Sequence, residues 1–269
     1  MSSTKKTKTL FFLDWDDTLH ASTFITKTTK QNKTLDENNA LQLDQLQRSL
    51  VIFLKSAINF GFVHIVTNSE RGWVQLSARK FLPNVVPLLN DITIISARSL
   101  FESMYPDDPV KWKSLVFRWK IGSHSTTDQK VIMNVISMGD SHVEREAIRA
   151  VTNKLDRIQT KSIKFAERPD ISILYKQIEL VTKSLKWIHD HEGDLDLMLT
   201  VRNNDIPPKK DQNVAPIENM ASLLEDLKKT KRELEEIKME LMIEKLGKLH
   251  ALFQTKHLVD IIMRSYHCC

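Results

Sequence analysis

The sequence has little of two things that mark secreted and membrane proteins, cysteine and long apolar runs. Its 269 residues include only two cysteines, Cys268 and Cys269, so no internal disulfide framework is expected. No apolar run reaches the ~18 residues of a membrane-spanning helix, and the polar, basic segment 1–9 does not resemble a secretory signal. We therefore expect a protein of the cytoplasm, with the nucleus as the alternative compartment.

The sequence also has no large excess of positive or negative charge. The net charge is +5, from 39 Lys and Arg against 34 Asp and Glu, and this favours acidic surfaces only weakly. No motif that reads RNA or DNA is present, so nucleic acid is not indicated as a partner. The cysteine pair at 268–269 follows a basic amphipathic stretch and lacks the usual prenylation box, which leaves its lipidation open.

Apolar runs that end in polar clusters alternate with helical patterns along most of the chain. We predict strands at 9–13, 62–66, 92–95, 131–138 and 162–165, and helices at 36–59, 70–81, 110–119 and 170–190, with a further helix that ends near residue 151. The segment 20–34, rich in Thr, Lys and Asn, is predicted to be a loop or flap. This alternation predicts an α/β fold whose parallel sheet is covered by helices and carries its chemistry at the carboxyl ends of the strands.

The composition divides the chain into four parts. Residues 1–8 are predicted to be a disordered basic arm, 9–191 the α/β domain, 192–216 a linker and 217–269 a helical extension. Within the extension, residues 217–248 repeat apolar positions at three-four spacing with charges of both signs between them. This pattern favours a coiled coil that pairs with itself or with another protein, and a single solvated helix is the alternative.

Three aspartates directly follow the first predicted strand. Asp14 and Asp16 point to the same side of an extended chain, and Asp17 comes next to them. Carboxylates this close are costly to bury without a cation, and a hard divalent ion such as Mg²⁺ takes oxygen ligands. An acidic turn without a metal is the alternative, because aspartate is common in turns.

Three further polar features lie near the ends of later strands. Thr67 and Asn68 follow the second strand and could donate hydrogen bonds to a phosphate, although this pair is also an ordinary strand exit. Asp140 and Glu144 follow the fourth strand and share a helix face if the helix begins there, although helix capping alone would explain them. Before that strand come the lysines, any of which could stabilise phosphate charge or simply be solvated: Lys111, Lys113, Lys120 and Lys130.

The order of these features resembles the haloacid dehalogenase superfamily over roughly residues 9–190. The run Asp14-x-Asp16-x-Thr18 is similar to its first motif, Thr67 to its second, a lysine to its third and the Asp140…Glu144 pair to its fourth. The resemblance implies a three-layer α/β/α Rossmann-like core. Little chain lies between the motifs, which is similar to the branch that has no cap domain over its site.

The resemblance implies a magnesium-dependent phosphatase. Asp14 would be the nucleophile that forms an aspartyl-phosphate, and Asp16 the acid that protonates the leaving group and then the base that activates water. The metal would be held by Asp14, the Asp16 backbone carbonyl and Asp140, with Glu144 supporting it through water. Glu144 stands where aspartate is commoner in the family.

The resemblance also implies the groups that hold the substrate phosphate. Thr67 would orient it with Asn68 beside it, and Lys113 would neutralise its charge. Lys111 is the alternative third-motif lysine, because the proline that follows this lysine in many relatives is absent here.

Without a cap, the site would be open to solvent, and this suits a phosphoprotein or another phosphorylated macromolecule better than a small metabolite. The lysines of the predicted flap, Lys27, Lys30 and Lys33, would attract an acidic substrate. Two alternatives remain. One is a catalytically silent scaffold of the same fold that acts through its coiled coil, and the other is a phosphomutase, against which the missing cap argues.

Overall fold

The computed structural model describes residues 6–30, 36–128, 130–153 and 155–200. These residues form an α/β fold around a sheet of six strands in the order β3-β2-β1-β4-β5-β6, and every adjacent pair is parallel. The strands are β1 Lys6–Leu13, β2 Phe62–Thr67, β3 Thr93–Ser96, β4 Val131–Gly139, β5 Ile158–Lys164 and β6 Leu195–Met198. The chain builds outwards from β1 in one direction and then in the other, so the topological switch point lies between β1 and β4.

Helices connect the strands and form two packed groups. They are α1 Ser22–Lys30, α2 Glu37–Phe60, α3 Trp73–Phe81, α4 Ala97–Phe101, α5 Pro109–His124, α6 His142–Thr152 and α7 Ile171–Asp190, with a 3-10 helix at Pro83–Asp91 before β3. Helix α2 packs against α7, while α5 packs against α4 and α6. No described helix is long and apolar enough to cross a membrane.

The central strand β1 is apolar on both faces. Leu10 and Phe12 belong to the core cluster that includes Trp112, Val116 and other side chains of α5 and α6. Phe11 and Leu13, which point to the opposite face of the sheet, are also fully buried. A strand covered on both sides reads as a continuous apolar run, and TLFFL is such a run.

The segment predicted to be a flap contains a helix instead. In α1 the hydroxyls of Thr28 and Thr29 donate to the carbonyls of Phe24 and Ile25, so the helix backbone satisfies these hydroxyls. Ile25 is 2% exposed, and its burial offsets the low helix propensity of the threonines. The prediction of a loop at 20–34 was therefore wrong over the helical part.

The sheet also reaches further along the chain than the sequence indicated. The residues of β6 lie in the segment predicted as a linker, and they pair with the end of β5 from Leu195 opposite Lys161 to Met198 opposite Lys164. The basic arm up to residue 5, most of the linker and the extension 217–269 lie outside the described residues. The coiled coil at 217–248 therefore stays a prediction.

Candidate active site

The loop after β1 is held in one conformation by its own backbone. The Asp14 N–H donates to the Met138 carbonyl of β4 at 2.9 Å, which places the aspartate at the switch point. The carbonyl of Trp15 accepts N–H groups from three later residues of the loop, and Trp15 itself is fully buried. Asp17 takes a left-handed conformation with φ 57°, which aspartate tolerates better than most residues.

Asp17 has a structural partner. Its Oδ1 accepts the backbone N–H of Thr23 at 2.9 Å and the hydroxyl of Ser22 at 3.4 Å. These groups belong to the first turn of α1, where backbone donors have no partner within the helix. Of the three aspartates in the loop, Asp17 therefore anchors the following helix.

A buried lysine crosses from α5 to the first aspartate. The Nζ of Lys113 lies 2.6 Å from Oδ1 of Asp14 and also donates to Oε1 of Glu144, and Lys113 is 1% exposed. Lys111, the alternative lysine, is exposed and lies over the ring of Tyr105 at 5.5 Å from its centroid. The two lysines are two residues apart on a helix and so point in different directions, and only Lys113 reaches the site.

Burial and charge act in opposite directions on this ion cluster. Burial lowers the pKa of the Lys113 ammonium, but the adjacent carboxylates outweigh it and hold that pKa above its usual range. Burial raises the pKa of Asp14 well above its usual value, even though the charge of Lys113 acts to lower it. For Glu144, the charge and hydrogen bond of Lys113 outweigh burial, and its pKa lies below the usual value.

Glu144 is fixed at the start of α6. Its Oε2 accepts the Ser141 hydroxyl at 2.6 Å and the Ser141 N–H at 3.3 Å. The second bond is one half of a capping box, in which the Ser141 side chain in turn accepts a backbone N–H of the first turn of α6. A Cβ at Gly139 would lie 2.3 Å from Cγ of Glu144, so only glycine allows this approach. Both Glu144 oxygens thus contact protein groups, Lys113 and Ser141, and its support of a metal through water stays a prediction.

Asp140 lies at the same edge with fewer partners. Burial is the main cause that raises its pKa to about 7, and the negative charges of Glu144 and Asp17 add to it. A backbone hydrogen bond from Arg168 acts in the opposite direction. The centre thus holds more negative charge than Lys113 neutralises.

Asp16 is turned toward the loop that follows β2. Its Oδ2 accepts the Ser69 hydroxyl at 2.6 Å and the Thr67 hydroxyl at 3.4 Å, and its Oδ1 accepts the Trp73 indole N–H at 2.8 Å. These bonds hold the half-buried carboxylate in place. Thr67 is buried beside Asp16. This proximity is expected, because Thr67 ends β2 and Asp16 follows the end of the adjacent strand β1.

Asn68 points elsewhere. Its amide donates to the carbonyl of Pro109 at 3.5 Å, at the first residue of α5. Its Oδ1 is buried without a partner among the described residues. The structure thus places Asn68 against α5, whereas Thr67 contacts the acidic loop directly.

Three residues at this edge were not singled out from the sequence. Ser69 and Trp73 bond Asp16, and the Lys164 ammonium donates to the carbonyl of Asp140 at 3.1 Å. Ser69 follows Thr67-Asn68 directly, and Lys164 stands at the end of the fifth strand, so their positions were available signals. Nothing in the sequence indicated Trp73, because a tryptophan in an amphipathic helix is more often a core residue.

The oxygen donors at this edge of the sheet bear on whether Mg²⁺ fits the centre. Across the described ranges there is no group of three or more His, Cys, Asp or Glu side chains that could hold a metal ion. Asp14 and Asp140 nevertheless supply carboxylates whose pKa values are raised mainly by burial, and no hydrogen bond between described residues ends on the Asp16 carbonyl oxygen. Mg²⁺ usually takes one or two carboxylates and keeps several waters, so two carboxylates and a carbonyl fit it.

The fold and the site together define an α/β protein with a buried acidic centre, which the Lys113 side chain enters, at the switch point of a parallel sheet. No protein-family model matches the chain, and neither a curated protein nor a solved structure matches it significantly.

Proposed function

We propose that the protein is a magnesium-dependent phosphatase of the haloacid dehalogenase type, acting on phosphate monoesters in the cytoplasm or nucleus. The observation that carries the proposal is the contact of 2.6 Å between the Lys113 ammonium and the Asp14 carboxylate, buried at the switch point beside Asp140. A nucleophilic carboxylate must stay ionised and must approach a phosphate of its own sign. A buried ammonium beside the carboxylate favours its ionised form and offsets its repulsion of the phosphate.

The proposed reaction has two displacements. In the first, an Asp14 oxygen attacks phosphorus, the bond to the ester oxygen breaks, and Asp16 gives its proton to the leaving oxygen. In the second, Asp16 takes a proton from water as the water oxygen attacks phosphorus. The bond from phosphorus to Asp14 breaks, and inorganic phosphate leaves.

Asp16 enters this scheme from its position next to the β2 loop. Ser69 and Trp73 hold its carboxyl group in one orientation, from which it would give its proton to the ester oxygen. The Thr67 hydroxyl, within reach of Asp16, would orient the phosphate, and the ammonium of Lys113 would face its equatorial oxygens. Asn68 would act through the loop rather than by direct contact.

Magnesium is proposed as the cofactor, held by Asp14, Asp140 and the Asp16 carbonyl. When bound, it would supply positive charge against the phosphate oxygens. Glu144 then acts by positioning Lys113 and the first turn of α6. The raised pKa values of Asp14 and Asp140 agree with a centre that needs a further cation.

The proposed substrate is a phosphoprotein. Of the chain between β1 and β2, the structure describes two helices, α1 and α2, and the latter packs against α7. An uncovered site would admit a phosphate on a protein surface. Pairing through residues 217–248 would be a means of bringing the domain to such a partner.

The direct test is hydrolysis of p-nitrophenyl phosphate by the full chain, with and without Mg²⁺, in wild type and Asp14→Asn. The variant keeps the size of the side chain and removes the nucleophilic oxygen. Asp156→Asn, an exposed aspartate, is the matched control. Metal-dependent activity that is lost in Asp14→Asn alone supports the proposal. Equal activity in both proteins would refute it, and a folded protein inactive on every phosphate ester would favour the scaffold alternative.

A further inference from the structure

A pocket of about 430 Å³ opens beside the candidate active site, along the edge of the sheet. Every residue of β3 lines it, and so does Thr67 at the end of β2. The volume is within the usual range for ligand pockets. Thr67 also donates to Asp16 at 3.4 Å, so the pocket borders a residue that contacts the proposed reaction centre.

The strand that lines the pocket has one free edge. Among the described residues, β3 pairs with β2 alone, from Thr93 opposite His64 to Ser96 opposite Thr67. Backbone N–H and C=O groups of alternate residues in a strand point away from the paired neighbour, so part of β3 offers unpaired groups to the pocket. An open edge of this kind is a template for another strand.

Side chains from helices on both sides of the strand form the walls. Val74 and Gln75 come from α3, Leu100 from α4 and Trp119 from α5. Helix α3 packs against the 3-10 helix that contacts α2, whereas α4 and α5 pack together in the other group of helices. The pocket is therefore a groove that straddles the sheet edge, and its walls leave Trp119 53% exposed.

The charge of the groove excludes one class of occupant. The residues that line it include one cation, Arg71, and one anion, Glu70, in the part of the chain that the structure describes. Single-stranded nucleic acid is bound by basic grooves that follow its phosphates, and one arginine next to a glutamate does not supply such a groove. Unpaired strand groups flanked by apolar and aromatic side chains suit a polypeptide backbone instead.

We propose that this groove binds an extended segment of the phosphoprotein substrate, which adds as a further strand along β3. The segment's backbone pairs with the free edge, its neighbouring side chains pack against Trp119 and Leu100, and its phosphorylated residue reaches Asp14 past Thr67. This inference rests on the proposed phosphatase function. It adds to that function the place where the substrate chain lies and the means by which an open site selects polypeptides.

The test compares two substrates of the full chain in the presence of Mg²⁺. One is p-nitrophenyl phosphate, which cannot fill the groove, and the other is a set of short peptides with a central phosphoserine, phosphothreonine or phosphotyrosine. Trp119→Ala is expected to lower kcat/KM for the preferred peptide by about tenfold or more, as for loss of an aromatic anchor, and to leave p-nitrophenyl phosphate unchanged. Ile52→Ala, which changes a similarly exposed apolar residue on α2, is expected to alter the rate with neither substrate.

A second series needs no protein variant. Peptides methylated at one backbone nitrogen at a time lose one hydrogen-bond donor each. Strand pairing predicts that every second position on one side of the phosphorylated residue matters and that the positions between them do not. This alternation distinguishes a paired strand from a peptide held by its side chains alone.

The failures are distinguishable. A wild type that hydrolyses no phosphate ester overturns the proposed function and this inference with it. If the wild type hydrolyses p-nitrophenyl phosphate but neither Trp119→Ala nor methylation alters the peptide rates, only the proposal of peptide binding in the groove is refuted. If hydrolysis of a phosphorylated oligonucleotide depends on Trp119 and hydrolysis of the peptides does not, the groove does not bind a polypeptide.

Discussion

Removal of the buried lysine is the sharpest test of how the acidic centre is built. Lys113→Met preserves much of the side-chain volume and leaves the carboxylates of Asp14 and Glu144, whose side chains are 8% and 7% exposed, without their shared cation. Breaking a buried ion pair by removing one partner costs about 3–5 kcal/mol. We expect the free energy of unfolding to fall by about that amount near neutral pH.

The loss should depend on pH with a definite sign. The charge of Lys113 lowers the pKa of both carboxyl groups, so its removal lets burial raise both pKa values in the folded state. The folded variant then binds more protons than the unfolded chain above the ordinary carboxyl pKa. Its stability relative to wild type therefore recovers as the pH falls from neutral toward about 4.

The assay is urea unfolding of metal-free protein at a series of pH values. Lys111→Met is the control, because this exposed lysine should change stability by no more than about 0.5 kcal/mol. The double variant Lys113→Met with Asp14→Asn should recover part of the loss. A cost below about 1 kcal/mol that does not vary with pH would refute the reasoning about a buried, charge-balanced centre.

Three further results are expected. Gly139→Ala should destabilise the protein by about 1–3 kcal/mol in urea unfolding, because its Cβ would meet Glu144 at 2.3 Å, and an unchanged midpoint would contradict that contact. Burial lowers the pKa of His20 to about 4, so stability should be lost as the pH falls from about 6.5 toward 4, and His20→Phe should reduce this loss in acid titrations. Trp73→Phe removes a 2.8 Å bond to Asp16 and should slow alkyl phosphates more than p-nitrophenyl phosphate, whose leaving group needs no proton; equal effects in steady-state kinetics would contradict its role in positioning the acid.

The strands were predictable because buried strands appear in the sequence as short apolar runs. The apolar runs within β1 to β4 end in polar loops, a pattern typical of a buried parallel sheet, whereas β5 has Lys161 and Ser162 at buried positions. Two elements were missed for opposite reasons. Helix α1 consists largely of poor helix formers and exists because Ile25 is buried, whereas β6 alternates half-buried and exposed residues beside β5 in a segment with linker composition.

The candidate site was predictable only in part. Asp14 and Asp140 had to lie near each other, since each directly follows a parallel strand and the carboxyl ends of such strands share one edge. The lysine could not be chosen from its spacing alone. Lys111 and Lys113 differ by two helix positions, and only the packing of α5 decides which of them meets the carboxylates.

The sequence by itself therefore determined the alternation of strands and helices and the acidic residues at the strand ends, because both follow from local pattern and from burial along the chain. The tertiary structure alone decided which groups pair across elements. Strand order put β1 between β2 and β4, so that Asp16 meets Ser69 and Trp73 while Asp14 meets Lys113. These contacts join residues far apart in the chain, and no local pattern records them. The same order left β3 at the edge with its groove open.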